Sequence, residues 1–332
     1  MKNILCSVST RGRYDTTLPM CLSAILNQTI LPDRIVLFDD NDNPIDLREK
    51  EVYKNLFYIM ELKKVGWEVV FGEKKGQHHN HDKANHMGYT WVWRVDDDTI
   101  PEPNVLETLV DFVLFNKNVG AVGGSIITPW WSNEEEDRKK SSGKIDSLDA
   151  PNKQWFKIDE EEEVDHLHCS FLYRAGVCEY NLMLSKVCHR EETMFTYELK
   201  KMGYENYIVP CTTWHLKSSD GGIRDGVKEL YDHDDYIFKK SLEYGFLVVL
   251  ESGIGDHLVF ESILPELLNR HDKITLSVCY PEIFDGYDIK LISIAEAKEV
   301  YNIEPYNIYK YMADKGWKRP MVDAYREKYL PL

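Results

Sequence analysis

Short apolar strands alternate with amphipathic stretches from the first residues of the chain onwards. Residues 4–8 form an apolar run, residues 18–26 have helical spacing, and the same pair of patterns then recurs along the chain. This alternation predicts a mostly parallel sheet flanked by helices, with ligands bound beyond the carboxyl ends of the strands. The alternation continues with predicted strands at residues 35–38, 67–71, 91–95 and 120–127, and with predicted helices at residues 52–62 and 103–115.

The regular pattern breaks between residues 132 and 165, where two acidic runs flank a segment rich in Ser, Gly, Lys and Asp. We interpret this segment as a solvated loop, with a mobile lid over the site as the alternative. The chain of 332 residues exceeds one typical domain. We place the boundary after residue 244, which gives domains 1–244 and 245–332. The elements predicted after the break are a strand at 164–173, a helix at 190–202, a strand at 207–209 and a helix at 225–244.

Charge and cysteine content exclude some partners. The 56 acidic residues outnumber the 40 basic ones, so the surface repels nucleic acids and acidic membranes. The 7 cysteines form an odd count without a CxxC pair, which favours a reducing compartment without structural zinc. The N-terminus does not resemble a signal peptide, and no run of about 18 apolar residues occurs. We therefore expect a cytoplasmic protein without a transmembrane segment, which could form a homo-oligomer.

The strongest local motif is the segment 94–101, Arg-Val-Asp-Asp-Asp-Thr-Ile-Pro, in which a strand delivers three acidic residues to its carboxyl end. Three like charges this close repel one another, whereas Mn2+ or Mg2+ would neutralise them and keep open positions for diphosphate oxygens. An acidic loop that caps the next helix explains the triplet Asp96, Asp97 and Asp98 equally well.

Further motifs surround this triplet. Residues 8–16 read Val-Ser-Thr-Arg-Gly-Arg-Tyr-Asp-Thr, residues 36–42 read Val-Leu-Phe-Asp-Asp-Asn-Asp, and residues 82–88 read Asp-Lys-Ala-Asn-His-Met-Gly. A helix-like segment contains His189-Arg-Glu-Glu-Thr, and residues 211–217 read Cys-Thr-Thr-Trp-His-Leu-Lys. In this order, the motifs over residues 3–217 resemble the family 2 glycosyltransferases, which have a GT-A fold.

The resemblance implies a donor site after the first two strands. Thr10, Arg11 and Arg13 would contact the nucleotide and its phosphates, and Asp39 or Asp40 would accept the imide proton of the base. By itself, the aspartate pair is better explained as a turn with an Asx cap. The resemblance also brings Asp96, Asp97, Lys83 and Asn85 to the donor, with Lys83 near phosphate and Asn85 either ordering its loop or contacting the ribose.

Three histidines within residues 77–81, Gln-His-His-Asn-His, suggest a metal site. Three histidines so close on one loop cannot easily close a tetrahedral site, so we predict a polar loop near the donor pocket instead.

The resemblance implies a carboxylate base at the start of the helix near residue 190. Inverting transfer needs a carboxylate that takes the proton of the attacking hydroxyl. Glu192 occupies the position that the family usually fills with Asp, and Glu191 is the alternative. Acidic residues in a first helical turn are also common because they suit the helix dipole.

The metal and acceptor residues follow from the same resemblance. Asp96 and Asp98 would hold Mn2+ or Mg2+, and His215 would complete the ligand set. Trp214 would offer an apolar face to a sugar ring. Alternation places His166 and His168 on one face of the strand predicted at 164–173, as an acceptor-side wall. Trp214 and His215 could instead serve only in packing. The histidine pair could instead belong to an ordinary half-buried strand without a role in acceptor binding.

The C-terminal segment from residue 246 reads as strand, glycine turn and helix, with further strands at 274–279 and 289–293 and one or two helices in 307–332. It resembles the start of the acceptor-side Rossmann-like half of heptosyltransferase-type (family 9) GT-B enzymes. Only about 85 residues remain there, too few for a second active site, so we predict a small α/β unit for packing, oligomerisation or acceptor docking.

Together these features predict a metal-dependent enzyme that moves a sugar, with inversion, from a UDP-sugar to a glycan or another hydroxyl acceptor. A non-catalytic protein that binds sugar nucleotides or glycans is one alternative. A nucleotidyltransferase is another, but it would be expected to begin with a glycine-rich phosphate loop, and segment 9–13 has one glycine.

Overall fold

The computed structural model describes residues 3–128, 141–145, 152–217, 222, 227–301 and 308–330. Residues 132–140 and 146–151 of the loop or lid predicted between residues 132 and 165 therefore lie outside the described residues. The chain divides into two compact units, the larger ending at Asp234, earlier than the predicted boundary after residue 244. The larger comprises Met1–Tyr180, Leu184–Lys200 and Tyr204–Asp234, and the smaller comprises Asn181–Met183, Lys201–Gly203 and Asp235–Leu332.

Strands and helices alternate up to residue 244. Short 3-10 turns lie at Leu47–Glu49 and Lys153–Trp155. The strands are β1 Ile4–Thr10, β2 Arg34–Asp39, β3 Gly66–Phe71, β4 Trp91–Asp96, β5 Thr99–Pro101, β6 Val119–Ile127, β7 Glu162–Val164, β8 Phe171–Arg174 and β9 Glu205–His215. The helices are α1 Thr17–Leu26, α2 Glu51–Leu62, α3 Gln77–Asn85, α4 Val105–Phe115, α5 Glu191–Lys201 and α6 Lys228–Tyr244.

Strands β1 to β9 form one sheet in the order β3-β2-β1-β4-β8-β6-β9-β5, with β7 paired to β9. Strand β1 runs parallel to both β2 and β4. Strand β2 is also parallel to β3, and β6 is parallel to β9. Strand β8 is antiparallel between β4 and β6. The predicted mostly parallel sheet is confirmed, and it brings the carboxyl ends of β1, β2 and β4 to one edge.

The core of the larger unit lies between this sheet and helices α1, α2 and α4. All seven residues of β1 are buried, as expected for a strand covered on both faces. Helix α1 buries Leu18, Leu22 and Ile25 at helical spacing. Full burial of each such side chain stabilises the fold by about 1.5–3 kcal/mol.

The polar loop predicted at 77–81 is wrong, because these residues begin helix α3. Two buried polar side chains of this helix contact polar residues of β1. The amide of Asn80 donates to Ser9 Oγ over 2.9 Å, and His81 Nδ1 lies 3.3 Å from Ser7 Oγ. Hydrogen bonds between the two elements therefore offset part of the cost of burying a helix that lacks an apolar face.

The strand predicted at 164–173 is also wrong, since β7 ends at Val164 and β8 begins at Phe171. Between them the chain turns: Cys169 has a φ of 55°, and the Ser170 amide donates to the carbonyl of His168 over 2.7 Å. His166 and His168 therefore do not share a strand face, although their ring centroids are 5.3 Å apart.

The smaller unit contains a parallel sheet in the order β10-β11-β12, which matches the predicted small α/β unit. At the start of α7, Asp256 accepts the amide of Gly253 over 3.1 Å and the hydroxyl of Tyr309 over 2.8 Å. This carboxylate occupies the helix N-terminus where a phosphate would otherwise bind. The elements are β10 Phe246–Leu250, α7 Ile254–Glu261, α8 Leu264–Leu268, β11 Ile274–Val278, β12 Lys290–Ile292, α9 Ile294–Val300, α10 Ile308–Asp314 and α11 Met321–Tyr329.

The heptosyltransferase-like character of this unit stays a prediction. Across the described parts of the chain, we find no helix with both the length and the apolar character needed to cross a membrane. All seven cysteines lie within the described residues and are free thiols.

Candidate functional site

A cavity of about 180 Å³ opens at the edge of the sheet where β1, β2 and β4 end. This is the edge at which ligands bind in open α/β sheets. Its lining also includes Gln77, which begins the segment 77–81 predicted to lie near the donor pocket, and Lys186 and Cys188, which the sequence motifs did not single out. The predicted site residues that line it are Thr10, Arg11, Arg13, Asp40, Asp96, Asp97, Asp98 and His215.

The middle aspartate of the triplet is held by β1 and the turn after it. Thr10 Oγ1 donates to Asp97 over 2.7 Å, and Arg13 pairs with both Asp97 and Asp98, the latter over 3.1 Å. Burial, aided by the charge of Asp98, raises the pKa of Asp97 to about 6, although Arg13 opposes this. Arg13 therefore neutralises part of the triplet, which would otherwise repel itself.

Three side chains with different metal-binding atoms converge beside the triplet. One ligand atom from each of Asp96, Cys169 and His215 lies within 4.8 Å of the other two. His215 Nε2 is also 3.5 Å from Asp98 Oδ1. Burial, together with the charges of Glu192 and Asp98, raises the pKa of Asp96 to about 7. A divalent cation fits this donor set, because it would favour the ionised carboxylates that burial disfavours.

A fully buried arginine connects the triplet to helix α5. Arg94 Nη2 lies 2.7 Å from Glu191, 3.0 Å from Glu192 and 3.3 Å from Asp96. Gln77 also donates to Glu191, over 2.6 Å. One cation thus faces three carboxylates in a site with little access to water, which makes a proton on at least one of them favourable.

Burial and the charge of Glu192 raise the pKa of Glu191 to about 8. For Glu192, burial opposes ionisation, but Arg94 and His168 outweigh it and hold the pKa below its ordinary value. The arrangement therefore places the shared proton on Glu191 and leaves Glu192 as the ionised carboxylate.

The two aspartates at the end of β2 have different environments. Both carboxylate oxygens of Asp39 have partners, because Asp39 accepts the hydroxyl of Tyr14 and both the backbone and side-chain amides of Asn41. Asp40 accepts the Lys74 amide at Oδ1 over 2.9 Å, while its buried Oδ2 lacks a hydrogen-bond partner in the described part of the chain. Asp40 is therefore the one with a free acceptor atom.

Comparison with known proteins identifies the family. The model of "Glycosyl transferase family 2" matches residues 8–180, which is more than half of the chain. The chain belongs to glycosyl transferase family 2. The predicted enzyme class, glycosyltransferase, is thereby confirmed at the level of the family. No curated protein matches the sequence.

A solved structure confirms the GT-A fold of this family 2 member. The crystal structure of GalNAc-T7 with UDP, GalNAc and Mn2+ is similar, with a TM-score of 0.51 and 12% sequence identity. The match covers 71% of this chain and 48% of that one, so the chain spans about half the length of that relative. At this identity the likeness concerns the fold alone.

Among the predicted site residues that do not belong to the described lining of the cavity, three have their contacts elsewhere, namely Lys83, Asn85 and Trp214. Lys83 pairs with Glu73 over 2.9 Å, and the side chain of Asn85 hydrogen-bonds to the backbone of the loop 176–178. Trp214 is 38% exposed and precedes the buried His215 in β9, so the two side chains point to opposite faces. The roles assigned to these three residues stay predictions.

An aromatic residue that the sequence did not single out lies beside the predicted acceptor wall. The ring of Trp155 is 5.8 Å from that of His215 and 6.3 Å from that of His168. His168 Nε2 in turn lies 3.1 Å from Thr193 Oγ1. The one sequence signal for Trp155 was a large aromatic side chain within an otherwise polar segment.

The loop that carries Lys186 and Cys188 to the cavity is held by a buried carboxylate. Asp234 accepts the backbone amides of Ser185 and His189 over 2.6 and 2.8 Å. Three charge-assisted hydrogen bonds, including that from the Ser185 hydroxyl, fix the loop. This contact could not be predicted from the sequence, because Asp234 lies 45 residues or more from its partners.

Replacement of Glu191 by Gln is expected to change the pH dependence of stability. A carboxyl with a raised folded pKa stabilises the fold below its ordinary pKa and loses this contribution as the pH rises to about 8. In the glutamine variant this stabilising contribution cannot be lost, because the amide does not ionise. Relative to the unchanged protein, the variant should gain up to about 1.4 kcal/mol per pH unit between pH 5 and 8 in urea unfolding. Parallel stability curves would contradict the assignment of the proton to Glu191.

Proposed function

We propose that this chain transfers a sugar from a nucleoside diphosphate sugar, specifically a UDP-sugar, to a hydroxyl of a glycan or another acceptor, with inversion. The observation that carries the proposal is the cavity at the ends of β1, β2 and β4, where arginines and the aspartate triplet meet in a family 2 chain. Its cytoplasmic location, a homo-oligomeric state and a lack of nucleic-acid partners stay predictions.

The nucleotide is recognised from β2 and the turn after β1. The free Oδ2 of Asp40 accepts the imide proton of uracil, while Arg11 Nη1 holds the carbonyl of Asp40 over 2.6 Å. A Cβ on Gly72 would lie 2.5 Å from Asp40 Oδ1, so this glycine leaves room for the carboxylate. Thr10 and Arg13 hold Asp97 and Asp98 in place below the diphosphate.

A divalent cation, Mn2+ or Mg2+, is held by Asp96, Asp98 and His215. Their donor set of carboxylates and one imidazole suits such a cation, and the raised pKa of Asp96 reflects buried charge that a cation would relieve. When bound, the cation neutralises negative charge on the departing diphosphate. The similar GalNAc-T7 structure contains both UDP and Mn2+.

The base is Glu192, at the N-terminus of α5. Its pKa is held low by Arg94, so it is ionised at neutral pH and able to accept the proton of the attacking hydroxyl. Glu191 carries the proton and keeps Arg94 in place. His168 and Trp155 form the wall next to this carboxylate on the acceptor side.

Thermal unfolding with UDP, in the presence and absence of Mn2+, tests the proposal. A ligand at about 100 times its Kd stabilises the fold by about 2.7 kcal/mol, so UDP with Mn2+ should raise the Tm by roughly 5 °C. Neither ligand alone should give this shift. Asp98→Asn should abolish the metal-dependent part, because it removes a charge next to His215.

Asp46→Asn is the matched control for this experiment, because it is the same substitution and its carboxylate pairs with Arg48 outside the cavity lining. It should keep the full shift. If no nucleoside diphosphate shifts the Tm with any divalent cation, the donor site and the proposed function are wrong.

The free oxygen of Asp40 predicts a preference for uracil over cytosine. Asp40→Asn should weaken UDP binding by about 10- to 100-fold, since a hydrogen bond to a charged group contributes about 1.5–3 kcal/mol. CDP binding should change much less. Asp39→Asn is the comparison. Both oxygens of Asp39 are already bonded by Tyr14 and Asn41, so this variant should affect stability but not the ratio of UDP to CDP affinity. Calorimetric titration with both nucleotides measures the ratio.

A further inference from the structure

A buried thiol belongs to the cluster that meets the cation. Cys169 is 6% exposed, and a ligand atom from each of Cys169, Asp96 and His215 lies within 4.8 Å of the other two. Atoms that share one cation are separated by roughly 3–4 Å, given metal–ligand distances of about 2.0–2.3 Å. Shifts of under an ångström would therefore let all three side chains bind one ion.

The backbone turns this thiol inward at an energetic cost. Cys169 has a φ of 55°, in the left-handed region, which costs a residue with a Cβ about 1–2 kcal/mol. The turn follows from the short hydrogen bond between the Ser170 amide and the His168 carbonyl. Strain of this kind persists where the surrounding structure fixes it, and here it places a sulfur beside a carboxylate and an imidazole.

We propose that Cys169 is a ligand of the cation at this site, together with Asp96 and His215. The inference rests on the proposed function, because that function places a cation here. The thiolate is a soft donor, so the site binds Zn2+, Co2+ or Cd2+ more tightly than a site of carboxylates and one imidazole would, and Mg2+ gains nothing from it.

A second cluster offers a built-in comparison. Asp82, His86 and Glu179 also bring ligand atoms within 4.8 Å of one another, but this group contains no thiol and is largely exposed. Cobalt bound there cannot produce a thiolate band. His86→Ala removes its imidazole and lowers the background, and His86 has no place in the proposed transfer site.

Absorption spectroscopy of the Co2+-loaded full chain tests the proposal. A thiolate ligand gives an intense sulfur-to-cobalt charge-transfer band in the near ultraviolet, whereas nitrogen and oxygen ligands give weak visible bands alone. We expect the intense band in His86→Ala, its loss in His86→Ala/Cys169→Ser, and its retention in His86→Ala/Cys279→Ser. Cys279 is exposed and lies in the smaller unit, so it controls for chance binding by a thiol.

Cation preference provides an independent readout. Cys169→Ser should lower the affinity for Cd2+ by at least about tenfold, while Mn2+ affinity changes much less. A general disturbance of the fold would weaken both ions equally. The Tm of the metal-free variant reports folding, and if Cys169→Ser does not fold, absence of the intense band from His86→Ala still overturns the inference.

The outcomes separate this inference from the proposed function. If His86→Ala binds Co2+ without the intense band but keeps the Mn2+-dependent shift with UDP, Cys169 is not a ligand and the donor site stands. A band that persists in Cys169→Ser belongs to another thiol and likewise overturns the inference. Absence of both cobalt binding and the UDP shift overturns the inference and the proposed function together.

Discussion

Glu192→Gln is expected to slow turnover of the UDP-sugar by about 10²- to 10⁴-fold, the usual contribution of a positioned general base. The amide keeps the size of the side chain and can still contact Arg94, but it cannot accept a proton. UDP binding should be unchanged, because Glu192 is not among the described residues that line the nucleotide cavity. Release of UDP from a panel of UDP-sugars, followed alongside the Tm shift, separates loss of chemistry from loss of binding.

Glu191→Gln is the matched control, since it is the same substitution one residue earlier in the first turn of α5. Because burial already favours the protonated form of Glu191, an amide resembles its resting state, and turnover near neutral pH should fall by less than about tenfold. A large loss in Glu191→Gln with little loss in Glu192→Gln would exchange the roles of the two residues. If both variants turn over the donor as fast as the unchanged protein, neither residue is the base.

Those parts of the site that lie at strand ends could be predicted from the sequence. A parallel sheet must bring the carboxyl ends of neighbouring strands to one edge, so Thr10, Asp40 and Asp96 had to meet once the alternation was recognised. The sequence could not distinguish Asp39 from Asp40. That difference arises from Tyr14 and from the Lys74 amide, and their positions depend on how the loops pack.

Arg94 had an overlooked signal, because side chains two residues apart in a strand share a face, and this places Arg94 on the same side of β4 as Asp96. Cys169 had none. Its left-handed turn contains neither Gly nor Asn, the residues that usually mark such a conformation, so alternation was extended through it as a strand. Helix α3 was missed because its buried face is polar, and a periodicity of apolar residues cannot reveal such a helix.

Arg94→Met is expected to lower the free energy of unfolding by about 3–5 kcal/mol, the usual cost of removing one partner from a buried ion pair. Glu191, Glu192 and Asp96 would then have lost their shared buried cation. The folded pKa values of Glu191 and Asp96 would rise further above the ordinary values near 4, and the pKa of Glu192, now held below its ordinary value by Arg94, would rise as well. A carboxyl with such a raised pKa stabilises the fold below its ordinary pKa and loses this contribution as the pH rises through the folded pKa. The deficit of the variant should therefore be largest at pH 8 and shrink toward pH 5.

Arg174→Met provides the comparison that isolates this charge effect. Arg174 is partly buried, whereas Arg94 is fully buried, and the Arg174 guanidinium stacks 4.8 Å from the centroid of the Trp91 ring and donates to backbone carbonyls instead of carboxylates. Its loss should cost about 1–2 kcal/mol, through lost packing and unsatisfied carbonyls, with no change between pH 5 and 8. Urea unfolding of both variants across this range measures the two curves. A pH-independent deficit for Arg94→Met would mean that the three carboxylates around Arg94 regain water once the guanidinium is gone. The proton held on Glu191 would then not depend on burial.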